Sequence, residues 1–205
     1  MALSVETFLL DIGQVLVALD FEGFLKSVHA QSELSLDEMT SRFNSSGELY
    51  LYETGRLATP DFVDRISQLL AIRLPIDPCQ AWGTLFTSET ENLISPEFFR
   101  RLKEQYRVIA LSNTNALHFE YLRTFQPLVN EFDDYVLSYE VGSVKPESEI
   151  YHAALSKAQN QPHEVIFVDD RPENIAAAQA LGITGIVFQN ERQLKQDLAT
   201  LGVEL

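Results

Sequence analysis

The stretch Thr7-Phe8-Leu9-Leu10-Asp11-Ile12-Gly13-Gln14 is a short apolar run that breaks abruptly into an aspartate and a glycine. Two later segments repeat the pattern. Arg107-Val108-Ile109-Ala110-Leu111 runs into Ser112-Asn113-Thr114-Asn115, and Glu164-Val165-Ile166-Phe167-Val168 runs into Asp169-Asp170-Arg171-Pro172. Continuous apolar runs of this length, without alternation, predict strands covered on both faces, as in a parallel sheet. Tyr135-Val136-Leu137 and Ile183-Thr184-Gly185-Ile186-Val187-Phe188 are weaker candidates. Helical patterns separate these strands. Ser95-Pro96 is an N-cap with proline at the first helical position, Pro146 opens a second helix, and Pro172 opens a third that stops at Gly182. Alternating strands and helices predict an α/β, doubly wound parallel sheet.

Residues 18–93 break that rhythm. Phe21–Lys26, Leu36–Met39 and Thr59–Ile66 read as amphipathic helices, with no convincing strand among them. The expected organisation is therefore a core of residues 1–17 and 94–205 and a helical insert over 18–93. Trp82 and Phe86 read as core of that insert, and Cys79 as a buried or half-buried residue within it.

Composition narrows the function. Thirty acidic residues against 15 basic ones give a net charge of −15, which phosphate backbones and anionic membrane surfaces would repel. The 13 Phe, 7 Tyr and single Trp argue against disorder. One cysteine excludes an internal disulfide and cysteine-rich metal sites. The amino-terminal residues lack the basic region of a secretory signal, and no apolar run approaches the roughly 18 residues of a membrane span. A cytoplasmic monomer or homodimer is expected, with a small molecule rather than nucleic acid or membrane as its partner.

The strand ends hold the chemistry, because ligands of open α/β sheets bind beyond the carboxyl ends of the strands. They carry Asp11, then Ser112 with Asn113, then Asp169 with Asp170, and Lys145 precedes a helix. This kit suits moving a dianionic group with a divalent metal. The residues resemble the haloacid dehalogenase superfamily over nearly the whole chain. The signatures Phe8-Leu9-Leu10-Asp11-Ile12-Gly13, Leu111-Ser112-Asn113-Thr114, Lys145-Pro146 and Val168-Asp169-Asp170 stand in family order. Asp-x-Gly-x-Val and Ser-Asn-Thr-Asn look most like the bacterial glucose-1-phosphatase-like members. The resemblance implies a Rossmann-like core with an inserted all-helical cap, and a phosphatase of a small, sugar-phosphate-like metabolite. Asp11 would be the nucleophile that forms an aspartyl-phosphate. Mg²⁺ would sit on Asp11, the Gly13 carbonyl and Asp170, with Asp169 assisting directly or through water. Ser112 and the Asn113 main-chain N–H would hold the phosphoryl oxygens, and Lys145 would neutralise charge.

Gly13 departs from the family pattern, which usually places a second aspartate there as general acid and base. General acid–base assistance is worth about 10²–10⁴ in rate. Its absence predicts a preference for leaving groups that depart without a proton, such as anomeric, acyl or aryl phosphates. In the turn Tyr52-Glu53-Thr54-Gly55-Arg56-Leu57, Arg56 is a candidate clamp for a phosphate or sugar hydroxyl, against a solvent-facing helix junction of equal weight. His118 reads as an exposed helix histidine. Three other functions compete. A phosphomutase would need the acid that Gly13 lacks, and a metal-free 2-haloacid dehalogenase lacks the Asp169-Asp170 type of pair. A phosphorylatable, receiver-like regulatory domain would carry its acidic pair after the first strand and have no long insert, whereas a non-catalytic phosphate-binding regulator would keep the phosphate pocket and show no turnover.

Overall fold

The computed structural model describes residues 4–72 and 92–203. Five strands, β1 (Thr7–Leu10), β2 (Arg107–Ser112), β3 (Asp134–Leu137), β4 (Val165–Asp169) and β5 (Thr184–Val187), form one sheet. All pairings are parallel and the order is β3-β2-β1-β4-β5. The chain lays β2 and β3 on one side of β1, then crosses back to add β4 and β5 on the other. Strand order thus reverses between β1 and β4, which opens a crevice beyond their carboxyl ends. Asp11 follows β1 directly and Asp169 closes β4, so the switch point carries both carboxylates.

Burial explains why the strands read as continuous apolar runs. Phe8 and Leu10 join one buried cluster and Leu9 the other, and Val108, Ala110 and Ile109, Leu111 divide in the same way. Alternate apolar residues of the central strands therefore feed cores on opposite faces of the sheet. Helices α5 (Pro96–Gln105), α6 (Ala116–Phe125) and α10 (Glu191–Thr200) supply the first face through Phe99, Leu122 and Leu194. Helices α8 (Ser148–Ala158) and α9 (Pro172–Ala180) supply the second through Ile150, Tyr151 and Ile175. Each such side chain removed from water contributes about 1.5–3 kcal/mol. The Ser95 hydroxyl accepts from the Phe98 N–H and starts α5 as the sequence predicts.

The helix after Lys145 starts later than expected. Pro146 lies in a turn whose Glu147 N–H donates to the Val144 carbonyl, and α8 begins only at Ser148. The Glu147 carboxylate accepts from the Val144 N–H and the Ser143 hydroxyl, and so braces the loop that carries Lys145.

Between β1 and α5 the described chain forms helices α1 (Phe21–His29), α2 (Leu36–Ser46), α3 (Glu48–Glu53) and α4 (Thr59–Leu69). The two crossing points lie side by side, since the Leu93 N–H donates to the Leu16 carbonyl and Val17 bridges Asn92. Cys79, Trp82 and Phe86 lie outside the described residues. Among the described residues no helix is long and apolar enough to cross a membrane.

The turn after α3 touches the core at α7 (Ser138–Val141). Gly55 has φ +66°, and a Cβ there would lie 2.2 Å from the Tyr139 carbonyl oxygen. Only glycine permits both the left-handed backbone and this approach. Gly55→Ala is expected to cost about 2–4 kcal/mol of stability through strain and overpacking. Urea denaturation followed by circular dichroism checks this.

Candidate active site

A cavity of about 340 Å³ opens at the switch point, lined on the sheet side by Asp11, Gly13, Ser112, Asn113, Lys145 and Asp170. That volume falls in the range of small-molecule sites. The stretch between β1 and α5 contributes Leu19, Leu49 and Glu53, and α6 contributes His118 and Leu122.

Lys145 is the hinge of the electrostatics. Its ammonium is buried and lies 2.9 Å from Asp11 Oδ2, 2.7 Å from Asp169 Oδ2 and 2.9 Å from the Leu111 carbonyl. Three acceptors match the three N–H donors of an ammonium. Asn113 fixes the Lys145 peptide from both sides, its Oδ1 accepting from the Lys145 N–H at 2.7 Å and its Nδ2 donating to the Lys145 carbonyl at 2.9 Å. The sequence reading gave Asn113 a main-chain role alone, and this clamp is an addition to it.

The three carboxylates differ in what occupies them. Asp11 Oδ1 accepts from the Ile12 N–H at 2.7 Å and Oδ2 from Lys145. Asp169 is fully buried, and Oδ1 accepts from the Arg171 N–H and from Asn174 Nδ2, while Oδ2 accepts from Lys145. Both Asp169 oxygens are thus engaged, and Asp169 does not line the cavity, whereas Asp170 does. Carboxylate oxygens of Asp11, Asp169 and Asp170 all lie within 4.8 Å of one another. Burial pushes the Asp11 carboxyl well above the usual carboxylate range, and the charge of Asp169 adds to this against the pull of Lys145. Burial and Asp169 raise Asp170 as well. The ionised cluster, three carboxylates against one ammonium, carries two net negative charges. A divalent cation with oxygen ligands meets that deficit.

Two residues fall elsewhere than expected. Arg56 does not line the cavity. It is exposed, and its guanidinium lies 5.5 Å from the ring centroid of Tyr50, whose hydroxyl donates to Glu147. His118 is not an exposed histidine, because its Nε2 is buried and the ring borders the cavity. Asn115 caps α6 by accepting from the His118 N–H, which orients its amide nitrogen toward His118 Nδ1 at 3.2 Å. An amide nitrogen only donates, so Nδ1 accepts and the ring proton sits on Nε2. The spacing from the N-cap Asn115 to His118 was the available signal.

Burial pushes the His118 pKa down to about 3. A histidine neutral in the folded state binds its proton only on unfolding, so stability is lost as pH falls from about 6.5 toward 3. Relative to the parent, His118→Gln is expected to flatten the acid limb of stability by up to about 1.4 kcal/mol per pH unit in that window. Denaturant titrations at a series of pH values measure it.

Glu53 is the site residue that sequence reasoning did not single out. It ends α3, lines the cavity, and is pushed up to about 7 by burial, against the opposing fields of Lys145 and Arg171.

A model of the haloacid dehalogenase-like hydrolase family matches residues 14–182. D-ribitol-5-phosphate phosphatase of Bacteroides thetaiotaomicron is 28% identical over 208 residues, covering 96% of this chain and 98% of that protein. A crystal structure of a HAD family enzyme from the same organism superposes with TM-score 0.83 at 25% identity, covering 95% of this chain and 98% of that one. A structure of that enzyme in complex with magnesium and inorganic phosphate gives TM-score 0.77 at 27% identity, with 91% and 96% covered.

Proposed function

Because the chain belongs to the haloacid dehalogenase-like hydrolases, we propose that it is a Mg²⁺-dependent phosphatase of small phosphorylated metabolites that works through an aspartyl-phosphate on Asp11. One observation carries this reading: a buried aspartate, a buried ammonium and two further carboxylates converge at the sheet's switch point, under a cavity sized for a small molecule. The relative named D-ribitol-5-phosphate phosphatase supports a sugar- or polyol-phosphate as substrate. The neighbouring structure with magnesium and phosphate supports the choice of metal.

Asp11, the Gly13 carbonyl and Asp170 would hold Mg²⁺, with Asp169 acting through its hold on Lys145 and on the Arg171 backbone. Bound there, the ion would balance the clustered negative charge and orient a phosphate oxygen. Ser112 and the main-chain N–H of Asn113 hold the phosphoryl oxygens. Lys145 holds Asp11 in place and offsets the charge that builds on the transferring group. The Asp11 carboxylate attacks phosphorus, the leaving oxygen departs, and water then cleaves the aspartyl-phosphate. Residues 18–93 act as a cap that shields this transfer from bulk water, over a core of residues 1–17 and 94–205.

A screen of sugar and polyol phosphates with Mg²⁺, repeated in EDTA, tests the proposal. Turnover of at least one ester is expected, falling to background in EDTA and returning on Mg²⁺ addition. Undiminished activity in EDTA would instead point to metal-free chemistry of the dehalogenase kind.

A further inference from the structure

We propose that Glu53, carried in from the insert, is the proton donor to the leaving group, the task that Gly13 cannot perform. This rests on the aspartyl-phosphate reading above and adds a catalytic residue to it.

The argument is one of position and elimination. Among the described residues, the ionisable side chains of the cavity are Asp11, Glu53, His118, Lys145, Asp170 and Arg171. Asp11 is the nucleophile and Asp170 a metal ligand. The Lys145 protons are committed to Asp11, Asp169 and the Leu111 carbonyl. A guanidinium is no proton donor at working pH, and that of Arg171 is paired with Glu173 at 2.5 Å. His118, its pKa lowered by burial, carries no acidic imidazolium proton near neutrality. Glu53 remains. Its position fits as well: in an in-line displacement the leaving oxygen departs on the side of phosphorus opposite Asp11. Asp11 enters from the strand ends, whereas Glu53 enters from α3 of the insert, beside the apolar Leu19 and Leu49.

Burial raises Glu53 to about 7, so a large part of it is protonated at neutral pH, with Lys145 and Arg171 as the charges that oppose the rise. A donor with a pKa near the working pH is the efficient kind. In the first step the Asp11 oxygen bonds to phosphorus, the ester P–O bond breaks, and the Glu53 proton passes to the leaving oxygen. In the second step water bonds to phosphorus, its proton returns to the Glu53 carboxylate, and the Asp11–phosphorus bond breaks. Atoms and charge balance over the cycle. The preference for proton-free leaving groups inferred from Gly13 alone gives way to competence on alkyl esters.

The test compares a primary alkyl phosphate with para-nitrophenyl phosphate, whose leaving group departs without a proton. Both are turned over by the Mg²⁺-loaded wild type and by Glu53→Gln. The ratio of the two kcat/KM values within one preparation does not depend on how much protein is folded. A fall of about 10²-fold or more in the alkyl-to-aryl ratio is expected for Glu53→Gln. An unchanged ratio overturns the assignment. Wild-type protein provides the second measurement: its alkyl kcat/KM is expected to fall on the alkaline side while its aryl kcat/KM does not. Parallel profiles for the two esters would likewise overturn the role of Glu53. A wild type inert toward every phosphate ester would instead remove the phosphatase reading, and this assignment with it.

Discussion

Asp11→Asn is expected to abolish phosphatase turnover, lowering kcat by about 10⁴-fold or more, because the asparagine amide cannot form the acyl phosphate through which both half-reactions pass. The fold should survive. Asp11 is nearly isosteric with asparagine, its N–H continues the sheet by donating to the Val168 carbonyl, and that bond does not involve the side chain. Burial, with the charge of Asp169 added, holds the Asp11 carboxyl well above the usual range despite the pull of Lys145, so losing its charge removes a net cost. Stability of the metal-free variant is expected to match or exceed that of the parent. Steady-state kinetics with the best ester from the screen, together with urea denaturation, checks both halves.

Lys145→Met is the second large effect, and here activity and stability fall together. The buried ammonium bridges Asp11 and Asp169 at 2.9 and 2.7 Å. Removing one partner of such a buried group typically costs about 3–5 kcal/mol, since the other charges are left without compensation. Losing the positive charge that faces the transferring group costs about 10²–10³ in kcat, by analogy with a lost oxyanion donor. Added Mg²⁺ is expected to raise the Tm of Lys145→Met more than that of the parent, because the ion replaces part of the missing charge. Equal shifts in the two proteins would show that Lys145 and the metal do not share the same carboxylates.

The sheet was readable because its strands are buried on both faces, and the residues at their carboxyl ends were readable because parallel sheets place ligands there. Asp11, Ser112 and Asp170 lie together on one cavity for that reason, and Lys145 joins them from the loop between α7 and α8. The stretch between β1 and α5 was harder to read. Helix α3, Glu48-Leu49-Tyr50-Leu51-Tyr52-Glu53, is six residues long, has no side-chain cap, and is rich in tyrosine. Local propensity does not mark it. It is held by packing, with Tyr52 stacked on Phe62 at 4.2 Å and Gly55 pressed against Tyr139. Whether Glu53 or Arg56 faces the cavity depends on how that short helix docks, and its docking is set by residues far away in sequence. His118 was misread for a related reason: the pattern of α6 alone does not tell that its first turn borders the strand ends. The Asn113 clamp on Lys145 spans 32 residues and has no local signature.

The central claim is covalent, and trapping tests it most directly. Enzyme quenched in acid during turnover of a phosphate ester with Mg²⁺, reduced with borohydride and digested, is expected to yield homoserine in place of aspartate at position 11 and nowhere else. Unmodified Asp11 under conditions of active turnover, or reduction at another carboxylate, would contradict the account.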